Sequence, residues 1–175
     1  MSKIRIGIDP GKESYICIWE EGFGFEFVQL PTIGKETDIN GVARLFDKIA
    51  TRFNSNCDIH AVIESVHVIY GSSASSTFEF GKMLGLLEGL LCAHEIPYTK
   101  VQPKTWQKEM WQGIAIQTKK SSTGKTQVND TKAMSEVAAK RLFPTIDLRK
   151  NERCKVADHN KVDALLLCEY AKRKF

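Results

Sequence analysis

The stretch Ile4-Arg5-Ile6-Gly7-Ile8-Asp9-Pro10-Gly11 decides how the rest of the chain is read. Apolar residues at 4, 6 and 8 alternate with Arg5 and Gly7, the period-2 pattern of a strand. The pattern stops at Asp9, where Pro10-Gly11 forces a turn. A carboxylate therefore stands at the carboxyl end of a strand, the edge at which sheets flanked by helices bind ligands. An Asp that merely starts a turn would look the same. Two further acids, Glu64 and Asp163, are expected beside that edge and favour the first reading.

Working outward, Ser14–Glu20 and Phe23–Leu30 also alternate, so three strands joined by Gly-containing turns form an antiparallel meander. Val42, Leu45, Phe46 and Ile49 recur at helical spacing and predict an amphipathic helix over 38–53. Ile59–Glu64 is a short buried strand that again ends in an acid. Because a helix precedes it, a right-handed crossover sets it parallel to the first strand. Asp9 and Glu64 then finish side by side.

A Ser/Gly-rich loop is expected over 65–77, followed by a Leu-rich helix over 78–94. Gly81, Gly85 and Gly89 fall on one side of that helix, where each costs about 1 kcal/mol relative to alanine. Close packing on the sheet or on a partner helix would explain them. Tyr98–Val101 is a further parallel strand, and Pro103 opens a helix over 104–112 at its first turn. Residues 114–128, with Lys119, Lys120 and Lys125, have no clear period and read as a mobile basic loop. Asn129 or Asp130 caps a helix over 131–143 that Pro144 ends. A polar connection over 147–157 leads to a last helix over 158–172, with Val162, Leu165, Leu166 and Cys168 on its buried side.

The 175 residues, 42% hydrophobic and 26% charged, fit a single soluble domain, 1–175, with a full core. No apolar run is long enough to span a bilayer, and the amino terminus lacks a signal-peptide core. Five cysteines with no Cys-x-x-Cys pair suit a reducing, cytoplasmic location and argue against a zinc cage. The net charge of +4 is unevenly spread: residues 1–95 carry 8 Lys and Arg against 13 Asp and Glu, residues 96–175 carry 17 against 8. A basic half joined to an acidic half suits a polyanion held over one face, or simply a solvated basic surface.

His159 and Asp163 are four apart and stack on one face of the last helix. If that face turns toward the sheet edge, it joins Asp9 and Glu64. Three crowded carboxylates repel strongly unless cations intervene, so such a cluster implies bound metal. Oxygen ligands with at most one imidazole suit Mg²⁺ or Mn²⁺, and two ions roughly 4 Å apart can hydrolyse a phosphodiester. The plainer alternative is a solvent-facing helix start capped by Asp158.

The order Ile6-Gly7-Ile8-Asp9-Pro10-Gly11, Ile63-Glu64, Phe80-Gly81 with Gly85 and Glu88-Gly89, Pro103-x-x-Trp106, and Asp163-Ala164-Leu165 resembles the RuvC-type Holliday-junction resolvases of the RNase H-like superfamily. The resemblance runs from about Ile4 to Tyr170. Lys132-Ala133-Met134-Ser135, Leu142-Phe143-Pro144 and Asp158-His159 make it nearer to the phage and chloroplast branches than to the bacterial one. It implies an α/β (α+β mixed) fold with a five-stranded sheet of order 3-2-1-4-5 flanked by helices. It also implies a homodimeric endonuclease that places paired symmetric nicks in a four-way DNA junction, with two Mg²⁺ per site replaceable by Mn²⁺.

By the same resemblance Asp9, Glu64 and Asp163 match the acidic metal ligands. Asn160 stands where the bacterial pattern has another acid, and His159 takes the fourth place as ligand or proton acceptor, with Asp158 a lesser candidate. Lys132 matches a lysine at the scissile phosphate, and Lys125 a second basic position. His67, with Tyr70 as a substitute, falls where the bacterial enzyme stacks an aromatic at the junction point. Lys104, Lys119 and Lys120 complete the expected DNA-binding set, although each lysine could equally be a plain surface cation. The glycine helix Gly81/Gly85/Gly89 matches the family's two-fold interface. Three other functions compete: a nuclease for forks and flaps, a junction-binding protein without catalysis, and an actin- or sugar-kinase-like ATPase. The last needs two such domains, and the second sits poorly with four ionisable site positions.

Overall fold

The computed structural model describes residues 1–11, 13–53, 57–65, 73–121 and 123–175. Its elements are β1 (Ser2–Ile8), β2 (Tyr15–Glu20), β3 (Gly24–Gln29), β4 (Thr32–Ile33), β5 (Glu36–Thr37), α1 (Ile39–Arg52), β6 (Cys57–Glu64), α2 (Ala74–Ala93), β7 (Tyr98–Val101), α3 (Pro103–Met110), β8 (Thr118–Lys120), β9 (Gln127–Asn129), α4 (Thr131–Leu142) and α5 (His159–Lys174). Strands β1, β2, β3, β6 and β7 form one sheet in the order β3-β2-β1-β6-β7. Since β4 and β5 make a small separate hairpin, this is the expected order 3-2-1-4-5. The meander β1–β2–β3 is antiparallel, whereas β6 runs parallel to β1, and β7 to β6.

Helices cover both faces of the sheet. Ile4, Ile6, Ile8, Ile16, Ile18, Ala61 and Ile63 point toward α1 and α2 and meet Val42, Phe46, Ile49, Met83, Leu87 and Leu91. Cys17, Val62 and Val101 point the other way, onto Trp106 and Met110 of α3, Ala138 and Ala139 of α4, and Val162 to Ala171 of α5. The central strand is therefore buried on both sides. Arg5, which alternation alone would place toward water, is 1% exposed. Its guanidinium donates to Asp58 O at 2.6 Å, Asp58 Oδ2 at 2.7 Å and Phe175 O at 2.8 Å. That satisfies a buried cation and holds the far end of α5 to the sheet.

Gly7 sets how closely α5 approaches. A Cβ at that position would run into the backbone of Cys168 and Ala164. Helix α5 thus lies with its main chain directly on β1, one turn from Asp163 and two residues from Asp9. The Cys168 thiol takes advantage of the contact and donates to Arg5 O at 3.2 Å.

Two expectations are corrected. The basic segment is no shapeless loop: β8 and β9 pair as an antiparallel hairpin, and Lys119 Nζ bonds Asp130 Oδ1 at 3.0 Å, tying the hairpin to the cap of α4. Helix α2 starts at Ala74, within the stretch read as loop, because the Ser73 side chain accepts from Ser76 N and caps it. Of the two explanations open for Gly81, Gly85 and Gly89, packing on the sheet is not the one observed. All three are exposed, and a Cβ on any of them would meet nothing within 4 Å. The polar connection before α5 is held in place. Leu148 is buried, Arg149 bridges Ala157, and Lys161 Nζ donates to Asp147 O and Arg149 O, both at 3.1 Å.

Candidate active site

Parallel pairing puts Ile8 opposite Ile63, so the two strands release Asp9 and Glu64 at the same edge. Asp163 comes to them from the first turns of α5. This helix is capped by Asp158, whose Oδ1 accepts from Asn160 N at 3.0 Å. The three acids are close enough to feel one another's charge. Asp163 is pushed up to about 8, first by burial and then by Asp9 and Glu64. Glu64 is pushed up to about 7 by burial and by Asp9. Burial also raises Asp9, with Asp158 adding to the effect.

Each acid has a hydrogen-bonding neighbour that carries no charge. The Trp106 indole Nε1 of α3 donates to Glu64 Oε1 at 2.8 Å. The Ser135 hydroxyl of α4 bonds Asp163 and lowers its pKa slightly. The Gly11 backbone N–H donates to Asp9, so the turn-initiating role and the pocket role coexist in one residue. The Ser14 hydroxyl also favours the ionised Asp9, though its buried Oγ has no partner at full hydrogen-bond geometry. Sequence reasoning gave Ser14 no role at the site, and noted Ser135 and Trp106 only as parts of motifs. A Ser inside an alternating or helical run carries no signal of which acid it faces.

His159 opens α5 one turn before Asp163 on the same face, half-buried. Its Nδ1 is buried and without a partner. Lys132, exposed in the first turn of α4, acts on Asp163 through its charge. Lys104 stands in the first turn of α3, and Lys120 and Lys125 on the hairpin, all exposed, while Lys119 is engaged by Asp130. His67 and Tyr70 lie outside the described residues.

The donor set is suited to a hard divalent cation. It offers carboxylate oxygens whose repulsion a positive ion would relieve, and one imidazole nitrogen left without a hydrogen bond. As the side chains stand, however, no three His, Cys, Asp or Glu groups among the described residues enclose an ion. The arrangement is an open cluster, not a closed cage.

No protein-family profile and no curated protein sequence matches the chain. Solved structures do. RuvC of Thermus thermophilus, in complex with a Holliday junction substrate, superposes with a TM-score of 0.57 at 12% identity over 94% of this chain and 90% of that one. A second structure of Thermus thermophilus RuvC gives 0.51 at 16% identity, over 97% and 95%. The fold is that of a RuvC-type resolvase. The likeness spans nine-tenths or more of both chains, so the shared fold extends over nearly the whole of each. All five cysteines are free, and no helix among the described residues is long and apolar enough to cross a membrane.

Proposed function

We propose that this protein is a metal-dependent, structure-selective DNA endonuclease that resolves four-way junctions. The observation that carries the reading is the meeting of Asp9, Glu64 and Asp163, from two parallel strand ends and one helix, where Asp9 raises the pKa of both other acids and Glu64 that of Asp163. Three crowded, half-buried acids with only Lys132 to offset them are costly to ionise unless something positive is bound there in use.

Asp9, Glu64 and Asp163 are the residues that would hold Mg²⁺ or Mn²⁺. When bound, two such ions would activate water and offset charge on a phosphodiester. His159 supplies a ring nitrogen with no competing hydrogen bond, available as a fourth ligand or to accept the proton of the attacking water. Lys132 stands beside Asp163 at the start of α4, where cation and helix N-terminus together favour a phosphate oxygen. Lys104, Lys120 and Lys125 contribute sequence-independent attraction to the DNA backbone. His159 with Asn160 after it supports placement near the phage and chloroplast branches.

A junction presents two equivalent phosphates, so paired symmetric nicks call for a two-fold dimer. Helix α2 supports one. Its Met83, Leu87 and Leu91 side is covered by the sheet, while the opposite glycine side is open to a second helix. Such an enzyme works where DNA and a reducing environment coincide, inside a cell.

The decisive experiment offers the purified protein four-way junction, fork, flap and linear duplex side by side with Mg²⁺. Junction nicking at least tenfold faster than linear duplex is expected. Equal rates on fork or flap would make it a general branched-DNA nuclease, and equal rates on linear duplex would remove structure selectivity altogether.

A further inference from the structure

Trp106 is fully buried, the largest such side chain among the described residues, yet it comes from a helix otherwise concerned with packing α5. An indole can only donate, and a buried donor must find an acceptor. Here the acceptor is Glu64 Oε1, 42 residues away at 2.8 Å. The choice of donor matters. Lys or Arg in that place would neutralise the carboxylate and compete with a bound cation. Indole restrains the group and adds no charge. The other two acids follow the same rule, with Ser14 and a backbone N–H at Asp9 and Ser135 at Asp163. Outer hydrogen-bond partners that orient a ligating carboxylate are part of a metal site's affinity.

We propose that Trp106 is a positioning residue for the pocket. By holding one oxygen of Glu64 with a neutral N–H, it commits that carboxylate to one orientation and leaves the other oxygen for a divalent cation. This rests on the nuclease reading only for what the cation is used for. Rigid fixing by α3 means that Glu64 need not search for its geometry when a cation arrives, whereas an unrestrained glutamate would sample several rotamers.

The test compares Trp106→Phe, which keeps an aromatic ring and loses the N–H, with the unaltered full chain. Mn²⁺ binding is measured directly, without DNA, by the loss of the free-ion electron paramagnetic resonance signal. Affinity should fall about tenfold. In a Glu64→Gln background the same replacement should change Mn²⁺ binding little further, because its effect passes through that carboxylate. Unchanged affinity in the first comparison, or a full effect in the second, would overturn the proposal.

Should Trp106→Phe not fold, nuclear magnetic resonance of the unaltered chain replaces it. The protein has three Trp residues, and the indole signal displaced by Glu64→Gln should also move when Mg²⁺ is added. No indole signal responding to Mg²⁺ would overturn the proposal. The two readings separate cleanly. If metal binding follows Trp106 but no branched DNA is cut, the nuclease reading falls alone. If junctions are cut and metal affinity ignores Trp106, the positioning role falls alone.

Discussion

Glu64 and Asp163 keep their protons to about pH 7 and about pH 8 because burial and mutual repulsion oppose ionisation. In the unfolded chain both ionise near pH 4. Between those values the folded state binds more protons than the unfolded one, so stability falls as pH rises. Metal-free protein should therefore melt at a lower temperature at pH 8.5 than at pH 5.5, and Mg²⁺ should remove most of the difference. A melting temperature that rises with pH would mean that the acids are not crowded in solution. Asp9→Asn, which removes one charge and one ligand while nearly keeping shape, should abolish cleavage (a loss of at least about 10³-fold). It should leave junction affinity within a few-fold, as read by gel shift in Ca²⁺. Equal loss of binding would mark Asp9 as a structural residue.

At the scale of elements, the seat of α5 on β1 depends on one missing side chain. Gly7→Ala would press a methyl group into the main chain of α5, which cannot yield as a side-chain tip does. A loss of about 2–3 kcal/mol is expected from urea unfolding, with cleavage reduced more than stability because Asp163 is displaced from Asp9. The strand ends were legible from alternation followed by Pro-Gly or by a loop, and so were the two acids they deliver. Gly7 was read as one half of that alternation, and its contact with a helix more than 150 positions away leaves no local trace. The β8–β9 hairpin was missed for a different reason. Strands of three residues exposed on both faces have no hydrophobic period to detect. The start of α2 was hidden by a Ser-rich run that reads equally well as a loop or as a helix cap and first turn.

For the molecule as a whole, the glycine stripe on α2 is the feature its own interior does not explain. The sequence left core packing and pairing with another chain both open, since periodicity cannot tell a covered face from an uncovered one. With the core face assigned to Met83, Leu87 and Leu91, the glycines remain open. In solution the protein should sediment at twice the mass of one chain. Gly85→Arg, at a position where a Cβ meets nothing within 4 Å, should sediment as a monomer and lose the coupling between its two nicks. A monomeric unaltered protein would remove α2 from the account. The basic carboxyl-terminal half then presents its lysines on each protomer, and binding should weaken steeply with added salt as condensed ions are no longer released to advantage.

The seat at Gly7 also has a bearing on synthesis. A ribosome delivers Asp9 and Glu64 before Asp163, and it is the main chain of α5 that lies against Gly7 on β1. A growing chain therefore carries an incomplete set of acids until α5 has emerged. The acidic cluster is complete only once α5 has emerged and settled on β1.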